Sequence, residues 1–200
     1  AALLGQIEPG TSVLQAGELR SGVLLSQPAG RYKFVPLPRY AQIAPVQGMV
    51  AADFDGDGNS DLLFVTNDYS PIPAIGRFDG GLGWLLLGDG QGGFRVVPPA
   101  QSGWVVPGNA KALAVLDLDG NGRPDAVVSR NNQSTRIFRN TGADGNLHLA
   151  VRLHGRGGNP AAIGARITLV QGGRTRQFAE ITAGGGDASE SSPVAFLSFS

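Results

Sequence analysis

Residues 53 to 61 read Asp-Phe-Asp-Gly-Asp-Gly-Asn-Ser-Asp. Carboxylates stand at the first, third, fifth and ninth places of this stretch, as Asp53, Asp55, Asp57 and Asp61, and glycines at the fourth and sixth. Acids this close repel one another unless a cation sits among them. Calcium is suited to the place, because this hard ion takes about six to eight oxygens from carboxylates, carbonyls and water. The glycines let the backbone curl around an ion through conformations other residues avoid. The pattern returns 64 residues later, at 117 to 125, as Asp-Leu-Asp-Gly-Asn-Gly-Arg-Pro-Asp. Two occurrences in phase make an internal repeat. The second loop has Asn121 where the first has a carboxylate, and Arg123 adds a cation, so it is expected to hold an ion less tightly, on the order of millimolar.

The helix-loop-helix calcium hand opens with the same Asp-x-Asp-x-Asp-Gly, but it requires a Glu at its twelfth place and helices on both sides. Here the twelfth place is Phe64 in one loop and Val128 in the other, each within an apolar run. That reading fails twice.

The elements that position the acids are strands. Met49 to Ala52 delivers the chain into Asp53, and Leu62 to Thr66 carries it away from Asp61. Ala112 to Leu116 and Ala126 to Ser129 do the same for the second loop. A second feature repeats as well. Leu24-Leu25, Tyr32 and Pro36 correspond to Leu86-Leu87, Phe94 and Pro98 at a constant offset of 62. Together these predict a unit of roughly four strands. Thr135 to Arg139 reads as the third strand of the second unit, and Leu147 to Leu153 as either its fourth strand or the start of something new. Thr11 to Leu14 is a further expected strand. From about residue 147 the texture changes. Ala165 to Val170 alternates strongly, Gln171-Gly172-Gly173 turns, Thr175 to Ile181 returns and Val194 to Phe199 closes, as in a small separate β module.

Composition agrees. Gly (31) and Pro (13) are abundant and no long stretch has helical periodicity, which predicts an all-β fold. The formal charge is zero. Seven of the sixteen acids lie in the two loops, so the acidity is local, and no basic cluster invites nucleic acid or a membrane surface. No long apolar run reads as a membrane span or signal peptide. Without cysteine there are no disulfides and no thiolate chemistry.

Other chemically suggestive residues have plainer readings. Gly88 to Gly93 is followed by a strand rather than a helix, so it reads as a hairpin turn and not a phosphate cradle. His148 and His154 lack further zinc ligands nearby. Trp84 opens an apolar strand and reads as core, whereas Trp104 and Tyr69, in loops, read as surface aromatics, with Tyr40 a further sugar-stacking candidate. Arg152, Arg166, Arg174 and Arg176 read as solvent-facing strand residues.

Acidic nine-residue loops joining strands in units of about sixty residues resemble the FG-GAP, or VCBS, repeats of the integrin-α-type β-propeller. The resemblance implies side-chain ligands from Asp53, Asp55, Asp57 and Asp61 with the carbonyl of Asn59, and from Asp117, Asp119, Asn121 and Asp125 with the carbonyl of Arg123. The tail resembles the ASPIC/UnbV domain that follows such repeats in the cartilage-acidic-protein family. That likeness rests on Asn159-Pro160-Ala161-Ala162-Ile163-Gly164-Ala165-Arg166 and the Ser189 to Pro193 run, although the closing Phe196-Leu197-Ser198-Phe199-Ser200 departs from the family's Phe-Gly-Leu-Gly-like end. The implied organisation is a partial β-propeller of four-stranded antiparallel blades over 1–146, with the end of one blade and then blades around 49–97 and 111–146, followed by a β module over 147–200. A closed propeller needs roughly four to eight blades, so the chain is expected to be the C-terminal part of a longer protein. The implied function is calcium-braced, non-catalytic recognition or scaffolding outside the cytoplasm, with a protein or carbohydrate ligand. The alternative is a calcium-assisted polysaccharide lyase or hydrolase, with Lys111 or Arg123 as its base.

Overall fold

A computed structural model describes residues 15–142, 145–186 and 188–199. The strand expected at Thr11 to Leu14 lies outside the described residues. The all-β expectation is borne out. Among the described residues thirteen strands lie in small antiparallel sheets, with short helical turns between them.

β1 (Gly22–Gln27) and β2 (Arg31–Pro36) form a hairpin. β3 (Val46–Ala52), β4 (Asp61–Thr66), β5 (Trp84–Gly88) and β6 (Phe94–Val97) follow in sequence order across one four-stranded sheet. β7 (Ala110–Leu116), β8 (Asp125–Arg130) and β9 (Gln133–Phe138) form a three-stranded sheet. β10 (Leu147–Arg152) does not join that sheet. It pairs instead with β13 (Val194–Phe199), while β11 (Arg166–Gln171) and β12 (Arg174–Glu180) make a further hairpin.

The 64-residue repeat extends to backbone detail. Ala52 opposes Asp61 in the β3–β4 pair, as Leu116 opposes Asp125 in β7–β8. Both pairs carry an irregularity at the same place, between Val46 and Gly48 and between Ala110 and Ala112. Each acidic loop thus joins two strands in the same register. Gly48 lies against the backbone of Leu113, where an added Cβ would stand 3.0 Å from its amide nitrogen. Glycine here allows β3 and β7 to approach closely.

β4 explains its own sequence. All six of its residues are buried. Successive side chains of a strand point to opposite faces, and both faces of β4 are covered. Leu63 and Val65 join one core with Phe54, Trp104, Val106, Leu113, Val115 and Val128. Leu62 and Phe64 join another with Leu37, Ala41 and Leu86. A strand covered on both sides reads as a continuous apolar run, as Leu62-Leu63-Phe64-Val65 does.

Trp104 is a correction to the sequence reading. It is buried, not a surface aromatic, and its indole N–H donates to the Phe64 carbonyl at 3.2 Å while its ring meets Phe138 at 4.4 Å between centroids. Local sequence presents it as a loop residue. The cleft that receives it is made by β4 and β9, far away along the chain. Tyr69 sits under Arg77, and Tyr40 is exposed beside Trp84.

Candidate metal centres

The first loop is built around two carboxylates that organise its backbone. Asp53 Oδ1 accepts the Gly56 N–H at 2.7 Å and Oδ2 accepts the Gly58 N–H at 2.9 Å. Asp61, at the start of β4, is fully buried and accepts N–H groups from Phe54 at 2.8 Å and from Gly88, at the end of β5, at 2.9 Å. Gly56 and Gly58 both have positive φ, the conformation that favours glycine. The second loop repeats these bonds. Asp117 accepts from Gly120 at 2.8 Å and from Gly122 at 3.0 Å, and Asp125 accepts from Leu118 at 2.9 Å. The other oxygen of Asp125 accepts the Asn140 N–H at 2.7 Å.

In each loop this folding gathers three acids. Asp53, Asp55 and Asp61 bring oxygens within 4.8 Å of one another, as do Asp117, Asp119 and Asp125. Oxygens held about 2.4 Å from one ion lie no more than about 4.8 Å apart, so the spacing meets the limit for a single ligand shell. Hard carboxylate donors and adjoining backbone match calcium rather than a soft metal. The residues present therefore fit the ion, and one bound there would offset the mutual repulsion of the acids.

At the fifth place of the first loop, Asp57 lies outside the acidic trio. Asp57 is exposed and turns back to Asn59, accepting its backbone N–H at 2.7 Å and its side-chain amide at 2.9 Å. Asn121 likewise accepts the Arg123 N–H at 2.8 Å. The side chain of Asn59 reaches Gly90, and the Arg123 guanidinium packs beside Gly142.

The centres differ in their electrostatics. Burial pushes the Asp61 carboxyl up to about 7, overcoming the two N–H bonds that favour its ionised form, and the neighbouring charges of Asp55 and Asp53 push the same way. Asp55 is raised too, by burial first and then by the charge of Asp57. At the second centre Asp119 is exposed and lies 3.9 Å from the Arg139 guanidinium. A built-in cation there competes with a bound one, so the structure adds Arg139 to Asn121 and Arg123 as a reason for weaker binding.

Several contributors were not visible in the sequence. Asn140 joins the two centres, since its amide donates to the Phe54 carbonyl at 2.8 Å while its backbone serves Asp125. Asn146 donates to the Gly56 carbonyl at 2.7 Å. From the tail, Gln177 donates to Asp53 Oδ2 at 3.0 Å, and the Ser198 hydroxyl bonds the same oxygen. These residues carry no local signal, because each meets its loop only through the tertiary fold.

Of the two candidate bases of a catalytic reading, Arg123 belongs to the second loop itself and Lys111 does not. Lys111 lies near the start of β7, six residues from Asp117, which is roughly 20 Å along an extended strand. Its ammonium pairs with Asp68 at 3.2 Å and reaches Gln47 at 3.3 Å. His148 lies half-buried in β10, while His154 is exposed beyond that strand's end. Neither joins a cluster of metal-ligating side chains among the described residues.

No helix among the described residues is long and apolar enough to cross a membrane. No curated protein matches the chain. Residues 155–199, which contain β11, β12 and β13, match the family model described as ASPIC and UnbV, in agreement with the likeness read from Asn159 to Arg166 and the Ser189 to Pro193 run.

Proposed function

We propose that this chain is a calcium-binding, non-catalytic recognition or scaffold segment that works outside the cytoplasm, built on FG-GAP-type repeats and completed by an ASPIC/UnbV tail. The observation that carries the reading is the doubled acidic loop. Two loops 64 residues apart share strand register, backbone hydrogen bonds and a trio of convergent carboxylates. Repetition in this detail is what a structural brace requires, since the same stress is met once in each unit.

The mechanism is linkage. The carboxylates of Asp53, Asp55 and Asp61 are held together by the fold at an electrostatic cost, and an ion that binds only the folded chain stabilises it by mass action, about 2.7 kcal/mol at a hundredfold excess over Kd. In calorimetric melting of the chain, chelator should lower Tm and calcium restore it. Asp55→Ala should lower Tm in calcium and remove most of the chelator effect, with Asp119→Ala a smaller change. A Tm indifferent to both chelator and calcium would sink the proposal.

A further inference from the structure

Three polar donors converge on one oxygen of Asp53, and two of them come from the C-terminal segment. Oδ2 receives the Gly58 N–H from its own loop, the side-chain amide of Gln177 on β12 and the hydroxyl of Ser198 on β13. Gln177 is itself fixed. Its Oε1 accepts the Ser198 N–H at 2.9 Å, and its Nε2 also reaches the Ser198 hydroxyl at 3.3 Å. An amide held at both ends presents only its N–H side to the carboxylate. Asp53 and Ser198 are both buried, and the bonds that join Gln177 to them are part-buried.

Two features make this more than interface adhesion. First, the donors are neutral. They orient Asp53 without cancelling the charge it offers a cation, whereas Arg139 stands as a rival cation beside Asp119. Among the described residues Oδ1 accepts one bond, from Gly56, and keeps a lone pair for an ion. Second, among the described residues the arrangement is found at one centre. The equivalent Asp117 accepts only from Gly120, Asn121 and Gly122 of its own loop among the described residues.

We infer that Gln177 and Ser198 are positioning residues of the first metal centre, so that calcium binding at Asp53–Asp61 and docking of β12 and β13 against the β3–β6 sheet strengthen each other. The inference rests on the calcium reading of that loop. Residues that hydrogen-bond a metal's carboxylate ligand fix its orientation, and losing them weakens binding by about 10–100-fold. Linkage makes the effect reciprocal: whatever factor the docked tail contributes to calcium affinity, calcium contributes to docking. The tail thereby becomes a calcium-responsive element, although it supplies no acid to the ion.

The test is calcium titration by calorimetry on the whole chain, with each centre isolated in turn. In an Asp119→Ala background, which leaves the first centre, Gln177→Ala with Ser198→Ala should raise Kd at least about tenfold. In an Asp55→Ala background, the same pair should leave the second centre's Kd unchanged. Hydrogen exchange supplies the reciprocal arm: calcium should slow exchange of the β12 and β13 amides in the wild type and fail to do so in Asp55→Ala. An unchanged first-centre Kd in the double variant, or equal weakening at both centres, overturns the inference alone. A wild-type chain that binds no calcium overturns the metal reading, and the inference with it.

Discussion

Asp61 shows how one residue sets the chemistry of the first centre. Its carboxyl is fully buried and pushed up to about 7 from an ordinary 3.8. Without an ion, the folded chain therefore holds a proton here that the unfolded chain releases. The associated stability is complete below about pH 3.8 and is lost as pH rises through about 7, a change on the order of 4 kcal/mol. A bound cation favours the ionised form and removes the penalty. In chelator, the urea-unfolding free energy should decline over this window; saturating calcium should flatten the decline, and Asp61→Asn in chelator should take away its largest part. A decline that survives unchanged in Asp61→Asn would assign the titration elsewhere. The same residue predicts that calcium binding near pH 6 expels a proton, visible as buffer-dependent binding heat.

At the scale of elements, each acidic loop is only as well placed as the strands around it. Gly88 ends β5 and gives its N–H to Asp61. A Cβ there would stand 2.2 Å from the Ser60 carbonyl oxygen, a backbone atom with no freedom to move aside. Gly88→Ala should therefore push β5 away from the loop, lower stability by about 1–3 kcal/mol and weaken the first centre while sparing the second. Chelator-dependent melting of the variant, compared with Asp55→Ala, measures this. The role of Gly88 was not legible locally: the sequence shows it only as the first residue of a glycine-rich turn. The strands themselves were legible. Alternation in β11, the apolar run of β4 and the glycine and proline punctuation between them all act over a few residues. The partner of β10 was not, because a strand carries no local mark of which edge it will join.

Over the whole molecule, the tail is tied to the rest by more than the Asp53 clamp. The run Ser189 to Ser192 lies along the free edge of β7. The hydroxyls of Ser189 and Ser191 accept the N–H groups of Leu113 and Val115 at 3.1 Å each, and the Ser192 N–H donates to the Val115 carbonyl at 3.1 Å. An uncovered edge presents unpaired backbone groups, and covering it satisfies them. Ser189→Ala should leave the buried Leu113 N–H without its acceptor and cost about 1–3 kcal/mol, read as a shift in urea midpoint. If the run were only a loose connector, that midpoint would not move. The serines were visible in the sequence as part of the tail likeness, but their acceptor role depends on a strand 76 residues away.

The sequence by itself determined the acidic loops, their 64-residue repeat, the all-β class and most strand positions. Each of these follows from residue types within a short stretch: carboxylates and glycines at fixed places, two-residue alternation, and turn residues between apolar runs. Tertiary structure decided which acids converge, which carboxylate is buried and which residues outside the loop hold it. It also buried Trp104 and sent β10 to β13. Those outcomes depend on contacts between residues 40 to 145 positions apart, as in Trp104 with Phe64 and Ser198 with Asp53. The stretch from Asp53 to Asp61 specifies its own turn, but the β5 and C-terminal residues packed around it fix the carboxylates of Asp61 and Asp53 in place.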